Sequence, residues 1–168
     1  MKHLIERACV LMAGLALAAS SWATTLHGVV FVVIDGDTVL FRPDHASPST
    51  RSFMKLRLAD IDAPEADQPQ GDAATRELRQ LVLHQRVEID IVATDAYGRA
   101  IARIRSGPVL VNQELVRRGL AWASTRARSD AVLLDAQKAA QRERRGLWVA
   151  PDPIPPWTWR MLQPSSVN

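Results

Sequence analysis

The sequence predicts an α+β fold in which a small, five-stranded β-barrel of the OB type carries three packed helices. Five short segments alternate apolar and polar residues, as half-buried strands do, and three longer segments repeat with the helical period. The chain has 168 residues, of which 47% are hydrophobic and 23% charged, values typical of one compact domain with a core. Five strands interleaved with three helices in one domain match a small closed barrel.

The first three strands are predicted at residues 27–34, 37–42 and 53–61. An Asp-Gly pair, Asp35 and Gly36, separates the first two, and this pair is typical of a type I′ hairpin turn with positive φ at both central residues. The predicted turn brings carboxylates from both sides of the hairpin close together.

Residues 68–85 predict the first helix, with Asp72 as its N-cap, because apolar side chains recur on one helical face. Residues 86–94 and 99–106 alternate as strands, and the turn sequence "DAYG" joins them into a second hairpin.

A short second helix is predicted to begin at Asn112, and a longer third helix is predicted to be capped by Ser129 or Asp130 and to end at Gly146. The tail over residues 147–162 is rich in Pro and Trp, and this composition predicts an extended segment lying on the surface.

The N-terminal residues predict a secretory signal peptide over residues 1–23. A short head that leans basic precedes an apolar run, and a small-x-small pattern ends at Ala23. The expected mature domain is residues 24–168, exported to a periplasm or secreted, with no membrane attachment after cleavage. The alternative is an uncleaved N-terminal anchor. Cys9 is the sole cysteine, so no disulfide is expected in the mature chain.

Five acidic side chains cluster at the predicted strand ends and turns: Asp35, Asp37, Asp60, Asp62 and Glu65. The group is rich in oxygen and has no cysteine or paired-histidine spacing, so it favours a hard cation such as Ca²⁺ over zinc. The formal net charge of +3 permits an anionic partner without requiring one.

Arg57 and Arg99 lie beside these acidic turns, and a planar guanidinium can bind two oxygens of a phosphate at once. Carboxylates that hold a cation, a further carboxylate that activates water and two arginines that bind a phosphoryl group are the parts of a phosphodiesterase.

The order and spacing of six motifs resemble the thermonuclease (staphylococcal nuclease-like) family from about His27 to Arg160, nearly all of the expected mature chain. These motifs are "DGDT", "RLADIDAPE" with "QPQG" behind it, "DAYGR", "VNQELVRRGLAW", "RRGLW" and "PPWTWR".

For a metal site, the resemblance implies that Asp37 and Asp62 are Ca²⁺ ligands and that the backbone carbonyl of Ala63 is a third. Asp35 matches an acidic position that the family places behind these ligands. Asp60 has no counterpart role and is predicted to be a plain solvated carboxylate.

For catalysis, the resemblance implies that Glu65 is the general base, that Arg57 and Arg99 bind the phosphate, and that Tyr97 contacts the substrate phosphate. Thr125 and Ala127 stand where the best-known member has two tyrosines of the nucleotide pocket, so weaker base stacking is expected there.

The implied activity is Ca²⁺-dependent endonucleolysis of DNA and RNA with little sequence specificity, leaving 3′-phosphate ends. No obligate protein partner is evident. Two alternatives stay open: a non-catalytic OB module that binds nucleic acid and retains a relic site, and a phosphodiesterase that acts on a small nucleotide.

Overall fold

The computed structural model describes residues 25–45, 53–124 and 130–163. The predicted signal peptide, Ser129, Thr125 and Ala127 lie outside these ranges. The described elements, in chain order, are β1 (Thr25–Val33), β2 (Thr38–Pro43), β3 (Met54–Leu58), β4 (Ile61–Asp62), α1 (Gly71–Val82), β5 (Arg86–Thr94), β6 (Ala100–Ser106), β7 (Val109–Leu110), α2 (Val111–Arg117), β8 (Trp122–Ala123), α3 (Ala131–Arg142), a 3₁₀ helix (Gly146–Val149) and α4 (Pro156–Leu162).

The predicted five-stranded barrel is confirmed. Antiparallel pairing gives the strand order β3, β2, β1, β5, β6, and parallel pairing between β3 and β6 closes the sheet on itself. The closing register places Leu56 beside Ala100 and Leu58 beside Ala102. Closure leaves the barrel without a free edge. β7 pairs antiparallel with the end of β6, and β4 pairs with β8 in a separate two-stranded sheet.

Alternation along the strands fills the barrel with apolar side chains and leaves polar ones outside. On β3, Leu56 and Leu58 are buried, whereas Lys55 is exposed and Arg57 is half-buried. Helices α1, α2 and α3 contribute further buried side chains to the same core, the largest of which are Leu78, Leu115 and Leu133. No helix within the described residues has both the length and the apolar composition needed to cross a membrane.

The turn between β1 and β2 differs from the predicted type I′ turn, because neither Asp35 nor Gly36 has positive φ. Glycine is required there by packing. A Cβ on Gly36 would lie 2.7 Å from the Cβ of Ala63 and 2.8 Å from that of Ala74. The Asp35 carboxylate accepts a hydrogen bond from the Asp37 amide at 3.0 Å, which shapes the turn instead.

Helix α1 begins one residue before Asp72, so the prediction that Asp72 is the N-cap is wrong. The N-cap is Gln70, in the left-handed conformation with φ of 71°, and its side chain makes no capping hydrogen bond. A Cβ on Gly71 would lie 1.9 Å from the carbonyl oxygen of Glu65. This close backbone approach fixes where the helix starts and leaves Asp72 in its first turn.

Asn112 was expected at the start of the second helix, but α2 begins at Val111 and the Asn112 side chain turns into the barrel. Its amide nitrogen donates to the carbonyls of Ala59 (2.9 Å) and Ala102 (3.2 Å), and its oxygen accepts from the Ile104 amide at 3.0 Å. These bonds satisfy backbone groups where β6 and the β3–β4 connection meet α2.

Helix α3 is capped as predicted by Asp130, whose carboxylate accepts from the Leu133 amide at 3.1 Å. The helix ends at Arg142 and does not reach Gly146.

The tail is not extended, and the described chain has four α-helices where three were predicted. After the 3₁₀ helix, α4 starts at Pro156, a residue whose fixed φ suits the first helical position. Trp148 and Trp157 pack edge-on against Trp122, with centroids 5.3 Å and 6.4 Å away. The Gln68 side chain also donates to the Ile154 carbonyl at 2.6 Å, so the tail is held against the turn before α1.

We predict that Asn112→Ala lowers the free energy of unfolding by at least about 2 kcal/mol, because it leaves buried backbone groups without partners. Urea unfolding measures the change. Gln113→Ala, on the half-buried neighbour, is the control and should alter the free energy by about 0.5 kcal/mol or less. Equal effects of the two substitutions would contradict a structural role for the Asn112 amide.

Candidate active site

Arg57 joins two buried carboxylates at the end of β3. Its two terminal nitrogens donate to Asp37 at 2.6 Å and to Asp62 at 2.7 Å. The carboxylate side chains are 6% and 8% exposed, whereas the Arg57 side chain is 22% exposed. Arg57 points out of the barrel because its neighbours Leu56 and Leu58 point in. One guanidinium therefore connects the residue before β2 with β4, and it remains partly open to solvent.

Three groups donate hydrogen bonds to the Asp37 carboxylate. Besides Arg57, the Thr38 hydroxyl donates to its Oδ1 at 3.1 Å and the Ala63 amide donates to its Oδ2 at 3.1 Å. Burial raises the pKa of Asp37 to about 6, although Arg57 acts in the opposite direction. The negative charges of Asp35 and Asp62 add to the increase. Burial therefore outweighs the stabilising charge of Arg57 and makes the ionised form of Asp37 less favourable than it is in water.

Arg57 shows the reciprocal effect. Burial alone would lower the pKa of its guanidinium, but the charges of Asp37 and Asp62 and a hydrogen bond to Asp62 raise it above its ordinary value. Arg57 therefore stays cationic at every pH at which the protein is folded.

Arg160 is a site residue that the sequence analysis did not identify. It lies on α4, and its guanidinium donates to Oδ2 of Asp62 at 2.8 Å and to Oε1 of Glu65 at 2.5 Å. The hydrogen bond to Asp62 is the main cause of a raised pKa of Arg160. The signal was present, since Arg160 ends the motif "PPWTWR", but an extended tail was expected to contribute only packing.

Glu65 lies in the turn that leads to α1, and its side chain is 37% exposed. Its amide donates to the Gln68 side chain at 3.1 Å, and the Gln68 amide donates back to its carbonyl at 3.0 Å. Through Arg160, Glu65 shares a cation with Asp62. The structure thus places Asp37, Asp62 and Glu65 in one ion-pair network.

Arg99 and Tyr97 form a separate group around Asp95. The Asp95 carboxylate accepts from Nε of Arg99 at 2.7 Å and from the amides of Tyr97 and Arg99, each at 2.9 Å. Against the raising effect of burial, the hydrogen bonds from Arg99 lower the pKa of Asp95. Tyr97 is 87% exposed, and the Arg99 guanidinium lies 5.7 Å from its ring centroid.

The Arg99 group is not in contact with the Arg57 network, and no hydrogen bond or ion pair joins the two in the part of the chain described. They do face the same side of the barrel. In the parallel pairing of β3 and β6, Arg57 lies beside Ile101, and Arg99 comes two residues earlier, on the same face as Ile101. A ligand that contacts both arginines must therefore extend from one group to the other.

Asp60, predicted to be solvated, instead forms an ion pair with Arg103 at 2.8 Å, and its side chain is 21% exposed. It has a left-handed backbone with φ of 62°. No ion pair or side-chain hydrogen bond within the described residues joins Asp60 to the Arg57 network.

The donor set of the network fits a hard divalent cation. Four carboxylates, those of Asp35, Asp37, Asp62 and Glu65, face two guanidinium groups, those of Arg57 and Arg160. The excess of two negative charges and the oxygen-only donors suit a hard divalent cation. Across residues 25–45, 53–124 and 130–163, no three His, Cys, Asp or Glu side chains form a ready metal-binding group by themselves.

Comparison with known proteins identifies similar chains. Residues 55–150 match the family described as staphylococcal nuclease homologue. An uncharacterized endonuclease of Escherichia coli O157:H7 is 36% identical over 150 residues, which cover 87% of this chain and 94% of the relative. A micrococcal nuclease of Shigella flexneri is 31% identical over 165 residues, covering 92% of this chain and 91% of the relative.

We predict a pH dependence of stability that originates at Asp37. Because its pKa is about 6 in the folded chain and near 4 in the unfolded chain, the folded state binds more protons between these values. Its contribution to the free energy of unfolding is fully present below about pH 4 and is lost as pH rises through about 6.

Urea unfolding from pH 4 to 7 in a metal chelator tests this. Asp37→Asn should remove that part of the decline, whereas Asp135→Asn, on an exposed carboxylate of α3, should keep it. Identical pH profiles for the wild type and Asp37→Asn would show that Asp37 does not titrate in this range.

Proposed function

This chain belongs to the staphylococcal nuclease family and is a phosphodiester hydrolase, and from that premise we propose that it is an exported, Ca²⁺-dependent endonuclease of DNA and RNA. It cuts with little sequence specificity and leaves 3′-phosphate ends. The observation that carries the proposal is the ion-pair network in which Arg57 and Arg160 bridge Asp37, Asp62 and Glu65.

Phosphodiester hydrolysis needs a group that takes a proton from water, and Glu65 suits this role. Its carboxylate is partly exposed, so water can reach it, and the turn around Gln68 fixes its backbone. In the proposed reaction the water oxygen bonds to phosphorus as its proton passes to Glu65. The bond between phosphorus and the 5′-oxygen breaks, the departing 5′-oxygen takes a proton from solvent, and the phosphate stays on the 3′ side.

Negative charge accumulates on the phosphoryl oxygens as water attacks, and the arginines are placed to stabilise it. Arg57 is permanently cationic and partly open to solvent, and Arg99 lies on the same outer face. Arginine contacts to phosphate oxygens carry no information about the bases, so sequence specificity is low.

Asp37, Asp62 and the Ala63 carbonyl would hold the cation, with Asp35 adding negative charge behind them. The hydrogen bond from the Ala63 amide to Asp37 supports the assignment of Ala63. When bound, Ca²⁺ supplies a positive charge that polarises a phosphoryl oxygen. The excess negative charge of the network supports this assignment.

Export rests on residues 1–23, which combine a short head leaning basic, an apolar run and a small-x-small end at Ala23. A periplasmic or extracellular location is part of the proposal. The absence of cysteine from residues 24–168 is compatible with an oxidising compartment, since no thiol is available to mispair.

We predict that the wild type digests plasmid DNA in Ca²⁺ and that a chelator stops the digestion. Glu65→Gln should lower turnover by at least about 100-fold with the fold intact, because the amide cannot accept the proton from water. Glu88→Gln, on the outer face of β5, is the control and should retain turnover.

Turnover is measured by release of acid-soluble nucleotides, and the fold is checked by thermal unfolding. Full turnover in Glu65→Gln would remove Glu65 from the role of base. A wild type that retards plasmid on a gel but never cuts it would instead indicate a nucleic-acid-binding module.

We predict that Arg160→Gln binds Ca²⁺ about five-fold or more tightly than the wild type does. Arg160 and Ca²⁺ compete for the Asp62 carboxylate, so removing the guanidinium should raise the affinity for Ca²⁺. Isothermal titration calorimetry measures the affinity, and Arg142→Gln, on the exposed end of α3, is the matched control. Unchanged or weaker binding in Arg160→Gln would contradict competition at Asp62.

A further inference from the structure

We propose that the outer face of β1, β2 and β3 is a second contact for the substrate. On this surface, defined by Phe31, Arg42, Phe53 and Lys55 and called the Phe53 face, single-stranded nucleic acid stacks a base on the exposed ring of Phe53 and places phosphates on Arg42 and Lys55. The inference rests on the proposed function, because its ligand is the polymer that the active site cuts.

The Phe53 face is continuous with the active site along β3. Leu56 and Leu58 point into the barrel, so Phe53, Lys55 and Arg57 share the outer side. A rise of about 3.3 Å per residue places Lys55 roughly 7 Å and Phe53 roughly 13 Å from Arg57 along the strand. A strand with a phosphate on Arg57 would therefore extend over the Phe53 face with its neighbouring nucleotides.

The register of the sheet brings the other members to the same place. Leu40 of β2 pairs with Lys55, and Val29 of β1 pairs with Arg42. Phe31 shares the outer side of β1 with Val29, because Val30 between them is buried, and its ring lies 5.5 Å from that of Phe53 at an interplanar angle of 71°.

Apolar exposure on this side of the barrel is high. Phe53 is 48% exposed, and Val32 of β1 and Ile34 of the following turn are each 43% exposed. Ile34 directly precedes Asp35, so the apolar surface reaches the active site. Exposed apolar surface that adjoins a catalytic centre is typical of a ligand contact.

The charge on the Phe53 face is positive and uncompensated. The Arg42 guanidinium lies 4.2 Å from the centroid of Phe31, and among the described residues neither Arg42 nor Lys55 has an ion pair. The neighbouring carboxylate of Asp44 is taken by Arg86 at 2.5 Å. By contrast, Arg57 and many surface arginines form ion pairs with carboxylates. Arg42 and Lys55 are therefore available to bind an anionic ligand.

Aromatic rings beside unpaired cations select the class of ligand. Nucleic acid offers both a π-face and a phosphate in every nucleotide, and an aromatic side chain can stack on a base of any sequence. Bases inside a duplex are stacked on each other and not accessible to Phe53. The Phe53 face therefore suits single strands, or the frayed ends of duplexes.

Binding of a fluorescein-labelled 12-nucleotide single-stranded DNA, followed by fluorescence anisotropy in a chelator so that no cutting occurs, tests the proposal. A second probe of the same length carries abasic sites in place of its bases. Phe53→Ala should weaken binding of the natural strand about five-fold or more and leave the abasic strand unaffected. Arg42→Gln and Lys55→Gln should each weaken the binding of both probes. Each should also reduce the slope of log affinity against log salt concentration by about one, the loss of one phosphate contact.

Val132→Ala and Arg142→Gln, exposed positions on α3, are the matched controls and should bind both probes as the wild type does. Thermal unfolding shows whether each variant is folded. Wild-type affinity for the natural strand in Phe53→Ala and Arg42→Gln would overturn the proposal, as would equal losses of the natural and abasic strands in Phe53→Ala. Plasmid cutting by the wild type tests the proposed function separately, so either conclusion can fail alone.

Discussion

The bridge that Arg57 makes between Asp37 and Asp62 is the interaction on which the rest of the site depends. Two carboxylates that are less than a tenth exposed repel each other, and burial without a cation would be strongly unfavourable. Arg57 compensates both from the one position on β3 where a side chain can leave the barrel between them. The same guanidinium also links the β1–β2 turn to β4, so the electrostatics of the site and the geometry of these connections are set together.

Arg57 does not fully neutralise the two carboxylates, and this explains why further positive charge is needed beside them. Arg57 carries one positive charge against the two carboxylates of Asp37 and Asp62, so negative charge remains in excess. Arg160 supplies part of the deficit from α4, which is itself held by Trp packing and by the contact of Gln68 with the tail. The rest of the deficit is what a divalent cation would satisfy. The hydrogen bond between Arg160 of α4 and Asp62 thus links two parts of the site that are 98 positions apart in the sequence.

Much of this could be predicted from local sequence. Alternation in the strands predicted the closed barrel, and because Asp37, Arg57, Asp62 and Glu65 lie at or near strand ends, their convergence also followed from topology. The errors arose where long-range packing overrides local preference. Packing against Ala63 and Ala74 requires glycine at position 36. Gln70 is the N-cap position of α1 because the backbone of Gly71 lies against that of Glu65. The Asn112 side chain hydrogen-bonds to backbone groups of the barrel and does not cap α2. No period in the sequence of the tail indicates that α4 folds back, so Arg160 could be found only through its motif.

The central claim is that the Asp37 and Asp62 carboxylates hold a cation at which phosphodiester chemistry takes place. A crystal structure of the protein grown in Ca²⁺, with the ion identified by its anomalous scattering, tests it most directly. We expect one ion bonded to both carboxylates at about 2.3–2.6 Å, with Arg57 beside it. An ion bound elsewhere, or these carboxylates without an ion at saturating Ca²⁺, would contradict the account.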